Sequence, residues 1–367
     1  MSMAVDHGGD PLNLVRADLL GFEGYRSARV AGGAGREWLN ANEAAWPNPV
    51  DPDARLRRYP DPQPQDLRER LAALYGCDAG QLLLTRGSDE AIDLLVRALC
   101  RPGGDAVVVC PPTFGMYAVC ARLHGSRVLE LPLVEGPGGF ACALDEVATL
   151  AEASRARLVM LCSPGNPTGH LVPLEAIDAL AWRLQDRAML VVDEAYIEFA
   201  EAPSATTLLP RRRNLAVLRT LSKAHALAGL RLGSVIADPA LVRVLARCQA
   251  PYPLPAPSVE QALQALEHGV LEATRDRVEE TVAGREALRA ALGRLPVVRT
   301  VYPSSGNFLL VRFTDAAEAF DRLLGAGVVV RDQRHVPGLE DALRITVGTP
   351  GQNRRVLEAL AGAEAAA

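Results

Sequence analysis

Lysine is all but missing from this chain. Of the 39 lysine and arginine residues, 38 are arginine, and the one lysine is Lys223. Arginine replaces lysine in ion pairs and on solvated surfaces, but its guanidinium never becomes a neutral amine at physiological pH. A lysine kept among so many arginines points to a task that needs a free amine, and Schiff-base formation is the foremost such task. The plain alternative is a surface lysine with no special role. Positive charge as a whole is also scarce. With 44 acidic side chains the net charge is −5, which argues against the basic stripe of a nucleic-acid binder. No stretch approaches the roughly 18 continuous apolar residues that a membrane helix requires. Residues 1–10 show no basic segment followed by an apolar one, so no secretory signal is expected and the expected location is cytoplasmic. Seven cysteines form no C-x-x-C pair, and six histidines form no H-x-x-x-H; no metal site is expected. The cysteines mostly sit in apolar runs, as Cys110 does after Val107, Val108 and Val109. They read as small reduced core residues.

What is present is an ordinary globular balance, 49% apolar and 23% charged. The length of 367 residues exceeds a usual single domain of about 50–250. Residues 1–37 read as an arm with one weak helical stretch at 10–20. A helix is expected at 65–75, stopped by Gly76. A short apolar run at 82–87 ends at Gly87, with Ser88 as the expected N-cap of the helix that follows. Strand and helix patterns then alternate, with strands at 106–110, 127–131, 158–162, 188–192 and 216–220 and helices at 114–124, 144–153 and 173–184. Such alternation predicts an α/β fold with a largely parallel sheet covered by helices on both faces. Four prolines in residues 251–257 mark a rigid, non-helical boundary. It separates a large domain, 38–257, from a smaller α+β domain, 258–367. The latter is expected to hold helices at 258–266 and 271–292, strands at 308–313, 328–331 and 343–347, and a last helix from Gln352.

Several chemically suggestive residues fall at strand ends or in loops, where open parallel sheets bind ligands. Asp193 leaves an apolar strand and could hold a metal, cap a helix or pair with a protonated ring nitrogen. The rigid loop at 163–169 delivers Asn166 to the same edge. Ser222 and Arg231 flank Lys223, a hydroxyl and a guanidinium that suit a phosphate. The glycine and helix start around Ser88 form an anion site or simply a βα turn. Phe114, just past Pro111 and Pro112, could stack on a flat cofactor or belong to the core. An amine, an aspartate for a ring nitrogen, anion donors and a stacking ring together describe a pyridoxal phosphate site.

In these segments the chain resembles the fold type I pyridoxal-phosphate aminotransferases of class II, and more closely the histidinol-phosphate aminotransferase family. The matching stretches are Leu39-Asn40-Ala41-Asn42-Glu43, Arg58-Tyr59-Pro60, Arg86-Gly87-Ser88-Asp89-Glu90 and residues 110–117, 163–169, 193–199, 219–224, 229–231, 330–333 and 343–348. The resemblance covers nearly the whole chain from Tyr25 onward. It implies that Lys223 forms the Schiff base with the cofactor and shuttles the proton between substrate Cα and cofactor C4′. Asp193 would pair with the pyridinium nitrogen, and Asn166 and Tyr196 would donate to the ring oxygen. The backbone amides of Ser88 and Asp89, with Ser222 and Arg231, would hold the phosphate. Tyr59 would reach the cofactor phosphate of a second subunit, which makes a homodimer with shared sites. Phe114 takes the stacking place, where relatives often carry tyrosine, and Gly165 stands where asparagine is common. Arg344 would grip the anionic group of the substrate, helped by Arg331, Tyr25 and Asn166. The activity implied is amino transfer between L-histidinol phosphate and 2-oxoglutarate, giving imidazole acetol phosphate and L-glutamate in histidine biosynthesis. Alternatives are decarboxylation of a phosphorylated amino acid and a broader aromatic aminotransferase. A DNA-binding regulator with an aminotransferase-like domain fits neither the acidic charge nor the short segment before Tyr25.

Overall fold

The computed structural model of the protein describes residues 9–31 and 37–362. Parts of the expected arm, residues 1–8 and 32–36, lie outside that range. The expected helix at 10–20 is two short turns, a 3₁₀ turn at Pro11–Leu14 and helix α1, Ala17–Leu20. Helices α2 (Ala28–Ala31) and α3 (Gln65–Tyr75) follow, and α3 ends at Gly76 in the left-handed conformation (φ 66°). Glycine takes that conformation without steric cost, so the stop was legible.

The large sheet holds β1 (Leu82–Thr85), β2 (Ala106–Val109), β3 (Arg127–Glu130), β6 (Leu158–Cys162), β7 (Met189–Asp193), β8 (Leu215–Thr220) and β9 (Gly233–Ala237). Their order is β1-β9-β8-β7-β6-β2-β3. Only β9 runs against its neighbours, antiparallel to both β8 and β1. A small hairpin, β4 (Val134–Gly136) with β5 (Gly139–Ala141), stands apart. Successive residues of one strand feed opposite cores. In β8, Leu215 and Val217 join one face while Ala216 and Leu218 join the other. Helices α3, α6 (Leu144–Ser154) and α7 (Leu174–Leu184) supply Leu67, Val147 and Ile177 to the first face. Helices α4 (Gly87–Leu99), α5 (Met116–His124) and α8 (Pro239–Cys248) supply Ile92, Tyr117 and Leu241 to the second. Burial on both faces is why the strands read as unbroken apolar runs.

Helix α9 (Ala256–Ala265) leads into the 25-residue α10 (His268–Leu292). A second sheet, β10 (Val298–Val301), β11 (Phe308–Phe313), β13 (Ala342–Thr346) and β12 (Arg331–Asp332), is antiparallel throughout. It packs with α10, α11 (Ala316–Gly325) and α12 (Pro350–Ala361) around Leu292, Phe313, Leu323 and Val356. The hairpin crosses to this sheet: Arg312 donates to Glu135 at 2.8 Å, and Phe140 lies 5.0 Å from the Tyr302 ring.

Four expectations need correction. Ser88 lies in the first turn of α4, whose N-cap is Arg86, so Ser88 offers a free-end amide rather than a capping hydroxyl. Pro257 sits inside the first turn of α9, a position that needs no backbone N–H. The strand expected at 328–331 begins only at Arg331. Three of the seven cysteines, Cys77, Cys142 and Cys248, are half-buried rather than core residues.

Candidate active site

A cavity of about 650 Å³ opens where β6, β7 and β8 end, and residues from the small sheet complete its wall. Asp193, the last residue of β7, is buried at its base. Tyr117 donates its hydroxyl to one carboxylate oxygen at 2.8 Å, and the Ala195 N–H donates to the other at 3.1 Å. Burial nevertheless raises the Asp193 pKa to about 6, because desolvation outweighs those two bonds. Lys223 lies in the loop after β8 with its amine 5.6 Å from the Tyr196 ring centre. Its pKa is lowered, first by partial burial and then by the Arg344 and Arg231 charges, against the pull of Asp193 and Asp89. The site thus favours the neutral amine that a nucleophile needs.

At one end of the cavity the backbone is drawn tight. A Cβ on Gly233 would lie 2.7 Å from the Ser88 nitrogen, and one on Gly87 would lie 2.7 Å from Arg231 Nη2. Gly233 must stay glycine because its Cβ would meet main-chain atoms, and Gly87 because its φ of 75° is strained for any side chain. Arg231 pairs with Asp89 at 3.3 Å across an exposed rim. Thr220 fixes Ser222 by donating to its hydroxyl at 2.9 Å and accepting from its N–H at 3.1 Å. Helix-start amides, a hydroxyl and a guanidinium converge here, which is a donor set for a phosphate.

The opposite wall comes from the small sheet. Strand pairing sets Arg331 directly across from Arg344. Arg344 donates to Asn166 Oδ1, lies 5.3 Å over the Phe308 ring, and keeps a buried Nε with no partner among the described residues. Desolvation and the neighbouring Arg331 lower its pKa. Asn166 also reaches the Tyr196 hydroxyl at 3.4 Å, and burial pushes that phenol up. Phe114 stands edge-on to Tyr117, 5.7 Å between ring centres.

The cavity therefore gathers Ser88, Asp89, Phe114, Asn166, Asp193, Tyr196, Ser222, Lys223, Arg231, Arg331 and Arg344. Tyr25 and Tyr59 are exposed and lie outside it; Tyr59 stacks on Tyr252 at 4.4 Å. Sequence reasoning assigned no role to Tyr117, Thr220, Gln333 or His335, which also serve this site. Tyr117 follows Phe114 by one helical turn, the one signal that could have found it. The fit to pyridoxal phosphate is chemical: phosphate donors, a buried carboxylate for a ring nitrogen and the only lysine line one cavity.

Residues 37–360 match the family described as aminotransferase class I and II. The chain belongs to that family. A histidinol-phosphate aminotransferase of Xanthomonas euvesicatoria is 60% identical over 349 residues, 95% of this chain and 96% of that one. The solved histidinol-phosphate aminotransferase of Sinorhizobium meliloti, in complex with pyridoxal-5′-phosphate, superposes with a TM-score of 0.73 at 26% identity, covering 88% of each chain. An L-threonine-O-3-phosphate decarboxylase from Porphyromonas gingivalis superposes at 0.71 and 26%, covering 85% of this aminotransferase and 92% of the decarboxylase. The aminotransferase thus has the fold type I architecture. Neither overall shape nor identity separates the two activities among these solved structures, both 26% identical; the 60% identity to the Xanthomonas enzyme is what favours amino transfer.

Proposed function

We propose that the enzyme transfers an amino group between L-histidinol phosphate and 2-oxoglutarate, giving imidazole acetol phosphate and L-glutamate in histidine biosynthesis. One observation carries the reading above the others. The chain's only lysine shares its cavity with two strand-paired arginines, one of which keeps a buried Nε without a partner among the described residues. Identity of 60% with an aminotransferase of that name, over nearly the whole of both chains, favours transfer over decarboxylation.

Pyridoxal phosphate, when bound, supplies a ring that draws off the negative charge left at the substrate Cα. The residues would divide the remaining work. The amides of Ser88 and Asp89, Ser222 Oγ and Arg231 would hold the phosphate, and Phe114 would cover one ring face. The Asp193 carboxylate, fixed by Tyr117 and the Ala195 N–H, would hold a proton at the ring nitrogen. Asn166 and Tyr196 would donate to the ring oxygen. Lys223 Nζ, whose pKa its surroundings lower, would take the proton from the substrate Cα and return one on the way to product. Arg344 and Arg331 would bind the phosphate of one substrate and a carboxylate of the other, since a guanidinium fork suits both anions.

This reading includes an arm at 1–37, a large domain at 38–257 and a small domain at 258–367. It also includes a cytoplasmic homodimer in which Tyr59 reaches the partner's cavity while Tyr25 serves the substrate. The test is a half-reaction assay of the holoenzyme, followed through cofactor absorbance. Histidinol phosphate is expected to react far better than histidinol. Losing a charge-assisted contact costs about 1.5–3 kcal/mol or more. Arg344→Ala should therefore cut kcat/KM by about tenfold to several hundredfold for histidinol phosphate and for glutamate. Histidinol should lose far less. Equal use of histidinol and its phosphate by the wild type would remove the substrate assignment and leave a general aminotransferase.

A further inference from the structure

Cys110 and Cys142 take no part in the chemistry above. Cys110 immediately follows β2 and Cys142 immediately follows β5, yet their sulfurs are 3.4 Å apart. A disulfide needs about 2.05 Å, so the two atoms have only ~1.4 Å to close. The pair is asymmetric in access. Cys110 is buried at 4% exposure, whereas Cys142 is half-buried. It is asymmetric in charge as well. The contact between the two sulfurs lowers the Cys142 pKa, and the same contact with burial raises that of Cys110. The thiols of Cys77, Cys100, Cys120 and Cys162 are all pushed up to about 11 or 12 by burial. Thiolate character and access, the two requirements for attack on an oxidant, therefore coincide at Cys142, with a second thiol already in place behind it.

We propose that Cys142 and Cys110 form a peroxide-reactive dithiol that closes to an intrachain disulfide beside the active-site cavity. The Cys142 thiolate attacks one oxygen of a hydroperoxide and the O–O bond breaks. Cys142 becomes a sulfenic acid, and the leaving hydroxide or alkoxide takes a proton to give water or alcohol. The Cys110 sulfur then attacks Cys142, a sulfur–sulfur bond forms, and the sulfenic hydroxyl leaves as water with the second thiol proton. The two sulfurs lose two electrons and the peroxide gains them. The location gives the bond a structural consequence. Cys110 leads directly into the Pro111, Pro112 and Thr113 loop that brings Phe114 to the cavity. Cys142 continues the hairpin that Phe140 and Glu135 hold against the small sheet. A disulfide would tie the ring-covering loop to that hairpin.

The test treats wild-type holoenzyme with stoichiometric hydrogen peroxide, then measures free thiols and peptide masses. The expected result is the loss of two thiols per chain and one cross-linked peptide joining residues 110 and 142, both reversed by dithiothreitol. Cys110→Ser should halt at a sulfenic acid on Cys142 that dimedone captures. Cys142→Ser should leave Cys110 a free thiol under the same treatment. Seven intact thiols in the treated wild type, or a cross-link between other cysteines, would overturn the proposal. So would oxidation of Cys110 in the Cys142→Ser variant at the wild-type rate.

Discussion

Asp193 has both carboxylate oxygens hydrogen-bonded, yet its pKa rises to about 6 from the usual 3.8. Two neutral donors do not replace the water lost on burial, so the apoenzyme carries an underpaid charge at the base of its cavity. The sign of the stability effect follows. A carboxyl whose folded pKa is raised binds its proton more readily folded than unfolded. Its contribution to stability is greatest below about pH 4 and is lost as pH rises from 3.8 through 6. The shift corresponds to roughly 2–3 kcal/mol. In the apo form, Asp193→Asn should therefore gain on the wild type by about that amount between pH 4 and pH 7, measured as unfolding free energy at each pH. A gap between variant and wild type that does not change with pH would mean the carboxylate is fully compensated. Holoenzyme should reverse the preference, since a positive ring nitrogen favours aspartate over asparagine. At this scale the sequence was most legible where chemistry and chain order coincide, as at Lys223, Asp193 and Asn166. It was silent on Tyr117, whose bond to Asp193 spans 76 residues and depends on how α5 packs against α4, β2 and β3.

Among the elements, β9 decides how sharply the phosphate end is built. It pairs with β1 through Gly233 and Thr85, and this brings the Gly233 backbone against the first amides of α4. A Cβ at 233 would meet main-chain atoms, not a flexible side-chain tip, so the helix start itself must shift. Overpacking of this kind typically costs about 1–3 kcal/mol. If that strain falls on the anion site, Gly233→Ala should weaken cofactor binding by about fivefold to 150-fold. Gly80→Ala, with nothing within 4 Å of the new Cβ, is the control and should bind as the wild type. Equilibrium titration of apoenzyme with pyridoxal phosphate measures both, and wild-type affinity in Gly233→Ala would detach β9 from the site. Strands with unbroken β-branched and aliphatic runs, such as β6 and β11, were legible to the residue. The sequence Gly-Ser-Val-Ile-Ala of β9 offers a turn residue, a hydroxyl and only three apolar positions, and it escaped notice. The hairpin escaped for a like reason, because Gly136, Pro137, Gly138 and Gly139 read as loop.

For the whole molecule, the surface between residues 39 and 59 is the feature that a lone chain explains least. Leu39, Trp46 and Val50 are 89%, 81% and 87% exposed, and Leu56 and Tyr59 of the same stretch are exposed too. Large apolar side chains clustered in this way mark an interaction surface. Tyr59, from this surface, lies outside the cavity of its own chain, and the proposed second copy would give both facts one cause. In a two-fold dimer each cavity would draw Lys223 from one chain and Tyr59 from the other. Lys223→Ala removes the amine from its own cavity, and Tyr59→Ala would remove the proposed phosphate contact from its partner's. When the two variants exchange subunits, a hybrid dimer carries one cavity that lacks both groups and one that keeps both. Random exchange makes half of the dimers hybrid, so about a quarter of wild-type activity per chain should return. The assay follows glutamate formation from histidinol phosphate before and after mixing, with exchange verified by a mass-labelled chain. Full exchange with no recovery, while each parent stays strongly impaired, would place Tyr59 in its own subunit's site or far from both.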